Sequence, residues 1–375
     1  MALKPSYNDK LHLPGLSKTE ILILALEASQ KLEWNIEEVT PEGARFEVPF
    51  NMYSHGEEIT FTIEPGSDGE VAVRSQSSSV QFVDYGKNRK NIQKLRETME
   101  EIKITDISGV KVGQVEDIQA ATGCSVVIVE KGATAGVDVR GGGPATRETD
   151  LLNPINMVQQ IHAVMLSGGS AFGLDAASGA MQYLEEHDVG FDMSVARIPI
   201  VCGASLFDLS VGNPQVRPDK HMGYLACKDS ENNEIKEGNY GAGCGASVGK
   251  LLGFDHAMKG GIGTYGLQVG AIQVAGLVAV NACGNVVDHE NHKMLAGIYD
   301  EKTQQVISTK DVLLKQMDQI RKLPDGNTTI GCIVTNVKLN KAQCTKLAGI
   351  CHDGYARSIQ PVHTMSDGDT IFVLS

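Results

Sequence analysis

The chain has 375 residues, length enough for two domains, and 42% hydrophobic and 21% charged residues, the composition of an ordinary globular protein. Lys and Arg number 33 against 46 Asp and Glu, a net charge of −13, which argues against nucleic acid and anionic membranes as partners. Aromatic residues make up only 5%, so base-stacking platforms are excluded as well.

The first fifteen residues contain no apolar run, so no signal peptide is expected. Ser17-Lys-Thr-Glu20 is a capping-box pattern, and the apolar face behind it predicts a helix. Alternating runs near 34–39, 44–49, 58–63 and 70–75, separated by turn formers such as Pro41-Glu-Gly43, predict a small antiparallel sheet. A charged helix is expected from about Lys87 to Ile102. Residues 1–102 therefore read as a small α+β domain of unknown function, with the polar stretch Ser75–Asp84 either a ligand loop or an exposed edge.

From Ile104 the texture changes to glycine-rich apolar strands separated by helices, which sets a second domain over 103–375. Three consecutive glycines, Gly141 to Gly143, precede Pro144 and follow Arg140; such a run lets backbone approach a neighbour closely. Ile161–Leu166 is strand-like, and Gly168, Gly169 and Ser170 then open a helix reaching about Glu186. A strand, a Gly/Ser turn and a helix start make an oxyanion or substrate site, with helix capping the plainer reading. The turn lacks the P-loop lysine and matches neither GxGxxG nor GxSxG. The apolar stretch 270–287 suits a buried strand better than a membrane helix. No histidine pair has metal-ligand spacing, so neither metal nor cofactor is expected. Eight cysteines without CxxC pairs read as buried thiols of a reducing, cytoplasmic compartment.

Eight blocks carry a resemblance: Val137–Asp150 (VDVRGGGPATRETD), Met165–Phe191, Arg197–Gly212, Glu237–Lys250, Met258–Gly266, Ala275–Asp288, Asn327–Asn336 and Ala356–Asp369. In this order they resemble the DmpA-type aminopeptidases, which include L-aminopeptidase/D-esterases, β-peptidyl aminopeptidases and nylon-oligomer hydrolases. The resemblance covers about 104–375. It implies an α/β fold, a four-layer αββα sandwich like that of the ornithine acetyltransferases, preceded here by the small α+β domain. It also implies a homo-oligomer and hydrolysis of amides or peptides bearing a free amino group. The nucleophile would be a Ser or Thr exposed by one self-inflicted cut, its new α-amine acting as base.

Carried over by counting back eight residues from Asn281, the nucleophile position is Gln273, whose amide is inert. Phe207 takes the place of a supporting tyrosine, and Asn239 that of an oxyanion-holding asparagine. Thr264 and Cys244 are the candidate substitutes for the nucleophile. The acidic partners are unassigned, Asn327 and Thr328 lying near their expected place. Three functions stay open: an amidase, an uncut relative binding a small amino compound or peptide without hydrolysing it, and an acyltransferase.

Overall fold

The computed structural model describes residues 6–12, 18–49, 57–63, 70–77, 99–289, 291–315 and 326–375. The chain divides into two compact units. One comprises Met1–Ile102 with Leu267–Gln273 and His289–Asn291; the other comprises Lys103–Gly266, Val274–Asp288 and His292–Ser375.

In the first unit five strands, β1 (Ser6–His12), β2 (Asn35–Thr40), β3 (Gly43–Val48), β4 (Glu57–Ile63) and β5 (Glu70–Ser77), form an antiparallel sheet in the order β1-β5-β4-β3-β2. Helix α1 (Lys18–Lys31) covers one face. Its Ile21, Ala25 and Ala28 join a core with Phe46, Ile59, Phe61, Val71 and Val73. That core follows from the period-two alternation of β3 and β4, which sends every second side chain under the helix. Strand β1 is invisible in the sequence because its residues are polar apart from Tyr7 and Leu11. The expected charged helix is corrected where it is described: Met99–Ile102 is a strand, its ladder bonds outweighing the helix propensity of Met and Glu. Residues 87–98, Ser17 and most of the Ser75–Asp84 stretch lie outside the described residues.

The second unit has two large sheets, with several two- and three-stranded ones beside them. The first contains β6 (Val110–Asp117), β7 (Thr122–Ala133), β9 (Thr146–Arg147), β10 (Ile161–Ser167) and β11 (Val201–Ser205), in the order β9-β11-β10-β7-β6. The second runs β12 (Gly261–Val269), β13 (Ile272–Asn281), β14 (Thr328–Thr335), β15 (Thr370–Leu374) and then β8 (Ala135–Val139). Helices α2 (Ala176–Glu186) and α3 (Lys220–Asp229) cover the outer face of the first sheet, where Ala176, Ala180, Leu184 and Ala226 meet Val126, Ile128, Ala163 and Met165. Helix α5 (Lys341–Ser358) covers the second, Cys344, Ala348 and Tyr355 packing on Ile371 and Val373. A short α4 (Thr309–Lys315) lies aside. Since β14 packs on β10 and β11, the sheets face each other between the helices, in four layers. Strands buried on both sides read as continuous apolar runs; β10 is buried at all seven positions.

All eight cysteines are free, seven of them buried, as the scattered spacing predicts. No described helix is long and apolar enough to cross a membrane.

Candidate active site

The second sheet gathers three strand ends. Antiparallel pairing sets Asn281, the last residue of β13, opposite Thr328, the first of β14. Strand β15 runs parallel to β14, with Ile330 opposite Thr370, so the turn before β15 arrives at the same edge. Asn327 and Asp367 form a bridge there.

Lys250 enters from the first residue of a short 3-10 turn and is only 1% exposed. Its Nζ donates to Asn281 O (3.0 Å), Asn281 Oδ1 (2.9 Å) and Gly326 O (3.1 Å). Asn281 Nδ2 donates to Phe207 O (2.9 Å) and Gly326 O (3.1 Å), while its Oδ1 accepts the Ser247 N–H at 3.0 Å. A lysine and an amide thus clamp the carbonyl one residue before Asn327. Burial pulls the Lys250 ammonium down to about 7, against the smaller opposing pull of Cys283, Asp367 and Asp208.

Thr328 is buried, and its Oγ1 donates a short hydrogen bond to the carbonyl oxygen of Asn327, the peptide bond immediately before it. The Gly368 N–H donates to the same oxygen at 2.9 Å. Two carboxylates flank this bond. Asp369 Oδ1 accepts the Thr329 N–H at 2.6 Å, and its Oδ2 accepts from His363 N (3.2 Å) and His363 Nδ1 (2.7 Å). Asp367 accepts the Thr364 N–H at 2.5 Å, and burial, with Asp369 beside it, raises its carboxyl above the usual range. Among the described residues no metal-binding cluster is present.

Two expectations arise from this geometry. Lys250 has a folded pKa below its unfolded value of 10.5, so between about pH 7 and 10.5 the unfolded chain binds a proton that the folded chain has released. Stability at this residue is therefore lowest below pH 7 and rises with pH across that window. Denaturant melts at pH 6.5 and 9 should show wild type gaining on Lys250→Met; parallel shifts would mean a permanently charged lysine. His363→Ala deprives a buried carboxylate of its imidazole donor and should cost about 1.5–3 kcal/mol, with His363→Asn recovering part of it through a side-chain N–H. Melts of the three proteins check this.

The residues singled out from the sequence are divided. Phe207 is at the cluster: its carbonyl accepts from Asn281, and its ring lies where a Cβ on Gly326 would come within 2.5 Å. Gln273 is at the opposite end of β13 from Asn281, in the other compact unit, its Nε2 donating to Gln268 Oε1 at 2.8 Å. Asn239 is exposed and takes no part in the bonds around Thr328; the asparagine there is Asn281. Thr264 donates its N–H to Glu237 Oε1 (2.8 Å) and its hydroxyl to Gly276 O (2.9 Å). The Cys244 thiol is pushed up by burial, and its carbonyl accepts from Lys259 Nζ at 2.6 Å. The Arg140 side chain turns to Asp138 Oδ2 and Gly349 O. Gly169 N donates to Asp208 Oδ1 at 2.7 Å, Gly168 closes on the same carboxylate, and Ser170 sits at φ +56. The Gly/Ser turn is thereby tied to the residue after Phe207.

The sequence model of peptidase family S58 matches residues 103–375. The chain belongs to peptidase family S58. It is 40% identical over 290 residues to the "uncharacterized aminopeptidase ML1167" of Mycobacterium leprae, covering 72% of this chain and 78% of that protein. With the 6-aminohexanoate-oligomer endohydrolase of Paenarthrobacter ureafaciens it shares 31% identity over 301 residues, 78% of this chain and 80% of the relative. Among solved structures, the PH0078 protein of Pyrococcus horikoshii superposes with a TM-score of 0.53 at 20% identity, over 73% of this chain and 74% of that one. The L-aminopeptidase D-Ala-esterase/amidase of Ochrobactrum anthropi, described as a variant of the Ntn hydrolase fold, gives 0.53 at 16% identity over 73% of each chain. These structures share the fold of this S58 chain, the sandwich expected from its sequence blocks.

Proposed function

We propose that this S58 chain is an aminopeptidase-type amide hydrolase that cuts itself between Asn327 and Thr328 and then uses Thr328 as its N-terminal nucleophile. The observation that carries the reading is the Thr328 hydroxyl lying against the carbonyl of its own preceding peptide bond. Lys250, Asn281, Asp367 and Asp369 surround that bond. The nucleophile position moves accordingly from Gln273 to Thr328, and the hydrolase reading gains over an uncut binding protein.

The chemistry follows from the groups present. Attack by Thr328 Oγ1 on the Asn327 carbonyl carbon turns the peptide into an ester, which water opens to a new chain end. The freed α-amine of Thr328 titrates near pH ~7.7–8.0 and can take the proton of its own hydroxyl when a substrate carbonyl arrives. Lys250, brought to about 7 by burial, can exchange a proton in the same range. The names of the relatives, aminopeptidases and a 6-aminohexanoate-oligomer endohydrolase, support short peptides or amides as substrates, the aminopeptidases favouring a free amine. Eight unpaired cysteines support a reducing, cytoplasmic setting. Ile155, Met157 and Val195, each more than 85% exposed, support self-association.

Amino-acid p-nitroanilides and their N-acetylated forms test the substrate class. Release of nitroaniline from the free amines alone supports the reading; no release from either, or equal release from both, sinks it.

A further inference from the structure

The proposed cut needs a donor for the negative charge that builds on the Asn327 oxygen. Lys250 and Asn281 are committed to the carbonyl of Gly326 instead. Besides the attacking hydroxyl, the backbone N–H of Gly368 reaches the Asn327 oxygen at 2.9 Å.

That amide is held in place by the triple-glycine run. Arg140 N donates to Asp369 O (2.7 Å), Gly142 N to Thr364 O (3.2 Å) and Gly143 N to Asp367 O (2.8 Å), so residues 140–143 form a strap along the 364–369 turn. The approach is too close for side chains. A Cβ on Gly141, whose φ is +90, would lie 2.3 Å from Asp367 O, and one on Gly142 would lie 2.4 Å from Met365 O. Gly368 itself is pinned from the other side: its Cβ would come within 2.7 Å of Gly143 O and 3.0 Å of Thr328 Oγ1. An unhindered amide, fixed by a backbone strap and pointing at one carbonyl oxygen, is preorganised rather than recruited.

We infer that the Gly368 N–H is the oxyanion donor for self-cleavage, and that the strap Gly141–Gly143 exists to aim it. The inference rests on Thr328 being the nucleophile. In the step it serves, Thr328 Oγ1 bonds to the Asn327 carbonyl carbon and the carbonyl π pair moves onto the oxygen facing Gly368. The pair then returns as the C–N bond breaks, and the hydroxyl proton ends on the Thr328 nitrogen. One water hydrolyses the ester, leaving the Asn327 carboxylate and a free Thr328 hydroxyl and amine.

The test replaces Gly368 by glycolic acid through a suppressor tRNA in cell-free translation, exchanging the N–H for an oxygen and leaving the shape intact. Appearance of the fragment beginning at Thr328 is followed on a denaturing gel. Loss of one such donor should slow the cut about 100-fold. A folded ester chain cut at the wild-type rate overturns the inference. If the ester chain does not fold, Gly142→Ala takes its place: the added methyl must push the 364–368 turn away, and a folded variant that cuts at the wild-type rate overturns the inference equally. Thr328→Ala, run in parallel, separates the two ideas. If that chain is still cut, the nucleophile reading has failed, whatever the Gly368 result.

Discussion

Thr328→Ala should leave the chain in one piece and without amidase activity. The substitution removes a buried methyl and a buried hydroxyl, the latter bonded to the adjacent carbonyl of its own backbone. The fold should persist, at a cost of about 1–2 kcal/mol for the lost methyl and hydroxyl. The chemistry should not: without Oγ1 nothing at residue 328 can attack the Asn327 carbon or a substrate carbonyl. Turnover should fall by at least about 10⁴-fold, the scale seen when a nucleophile is deleted from a working constellation. Thr328→Ser keeps the hydroxyl and should still cut. Gln273→Ala removes a bond to Gln268 on a hairpin tip and should leave the cut unaffected. Intact mass and p-nitroanilide turnover of the three variants read this directly; a cut Thr328→Ala chain, or a Gln273→Ala chain that stays whole, reverses the assignment.

Lys250→Met should be the second large effect, and for a different reason. The lysine is buried and makes three hydrogen bonds, yet two of its three acceptors keep another donor after its loss. Gly326 O keeps Asn281 Nδ2, and Asn281 Oδ1 keeps the Ser247 N–H. Methionine fills much of the same volume without bringing a charge into the interior, a replacement that is often close to neutral for stability. What disappears is a proton-exchanging group next to the scissile bond, worth about 10²–10⁴-fold in rate. Cutting and turnover should therefore both collapse while the melting curve stays cooperative. Lys250→Arg should not rescue, since a guanidinium does not give up its proton near pH 7. A Lys250→Met chain that cuts at the wild-type rate would assign the lysine a purely structural role.

The fold was legible because its signals are local and repeated. Runs such as Ile161–Ser167 are apolar on every residue, which only a strand buried on both faces requires, and the Gly168-Gly169 turn announces the helix behind it. The triple glycine before Pro144 announces close backbone approach without saying to what; the structure supplies the partner, the 364–368 turn. The site was less legible because its residues meet across strands rather than along one. Asn281 is a sound anchor, but counting back along β13 leads to Gln273, whereas the residue facing Asn281 is Thr328, across the sheet and after a long excursion. Period-two alternation carries no trace of which strand pairs with which. Lys250 was hidden for another reason: a lysine 1% exposed contradicts the ordinary expectation for that side chain, and nothing in Ser247-Val-Gly-Lys250 marks it as buried. Asn327-Thr-Thr and Asp367-Gly-Asp369 were the readable traces, a hydroxyl at a strand start and two carboxylates around a glycine.

The sequence also explains why Phe207 does not disqualify the site. Its contributions here are a backbone carbonyl for Asn281 and a ring against Gly326, neither of which needs a phenolic hydroxyl. The turn at Gly168–Ser170 connects to it through Asp208, whose carboxyl is raised by burial and held by Thr122 and Gly169. The Gly/Ser turn is thereby fixed against Asp208 through its backbone.

Intact mass of the freshly purified wild-type protein, with the N-terminal residue of every fragment, is the most direct measurement. The account predicts two polypeptides, the smaller running from Thr328 to Ser375. A single uncut chain of 375 residues, or a new N-terminus at Thr264 or anywhere other than Thr328, would contradict it.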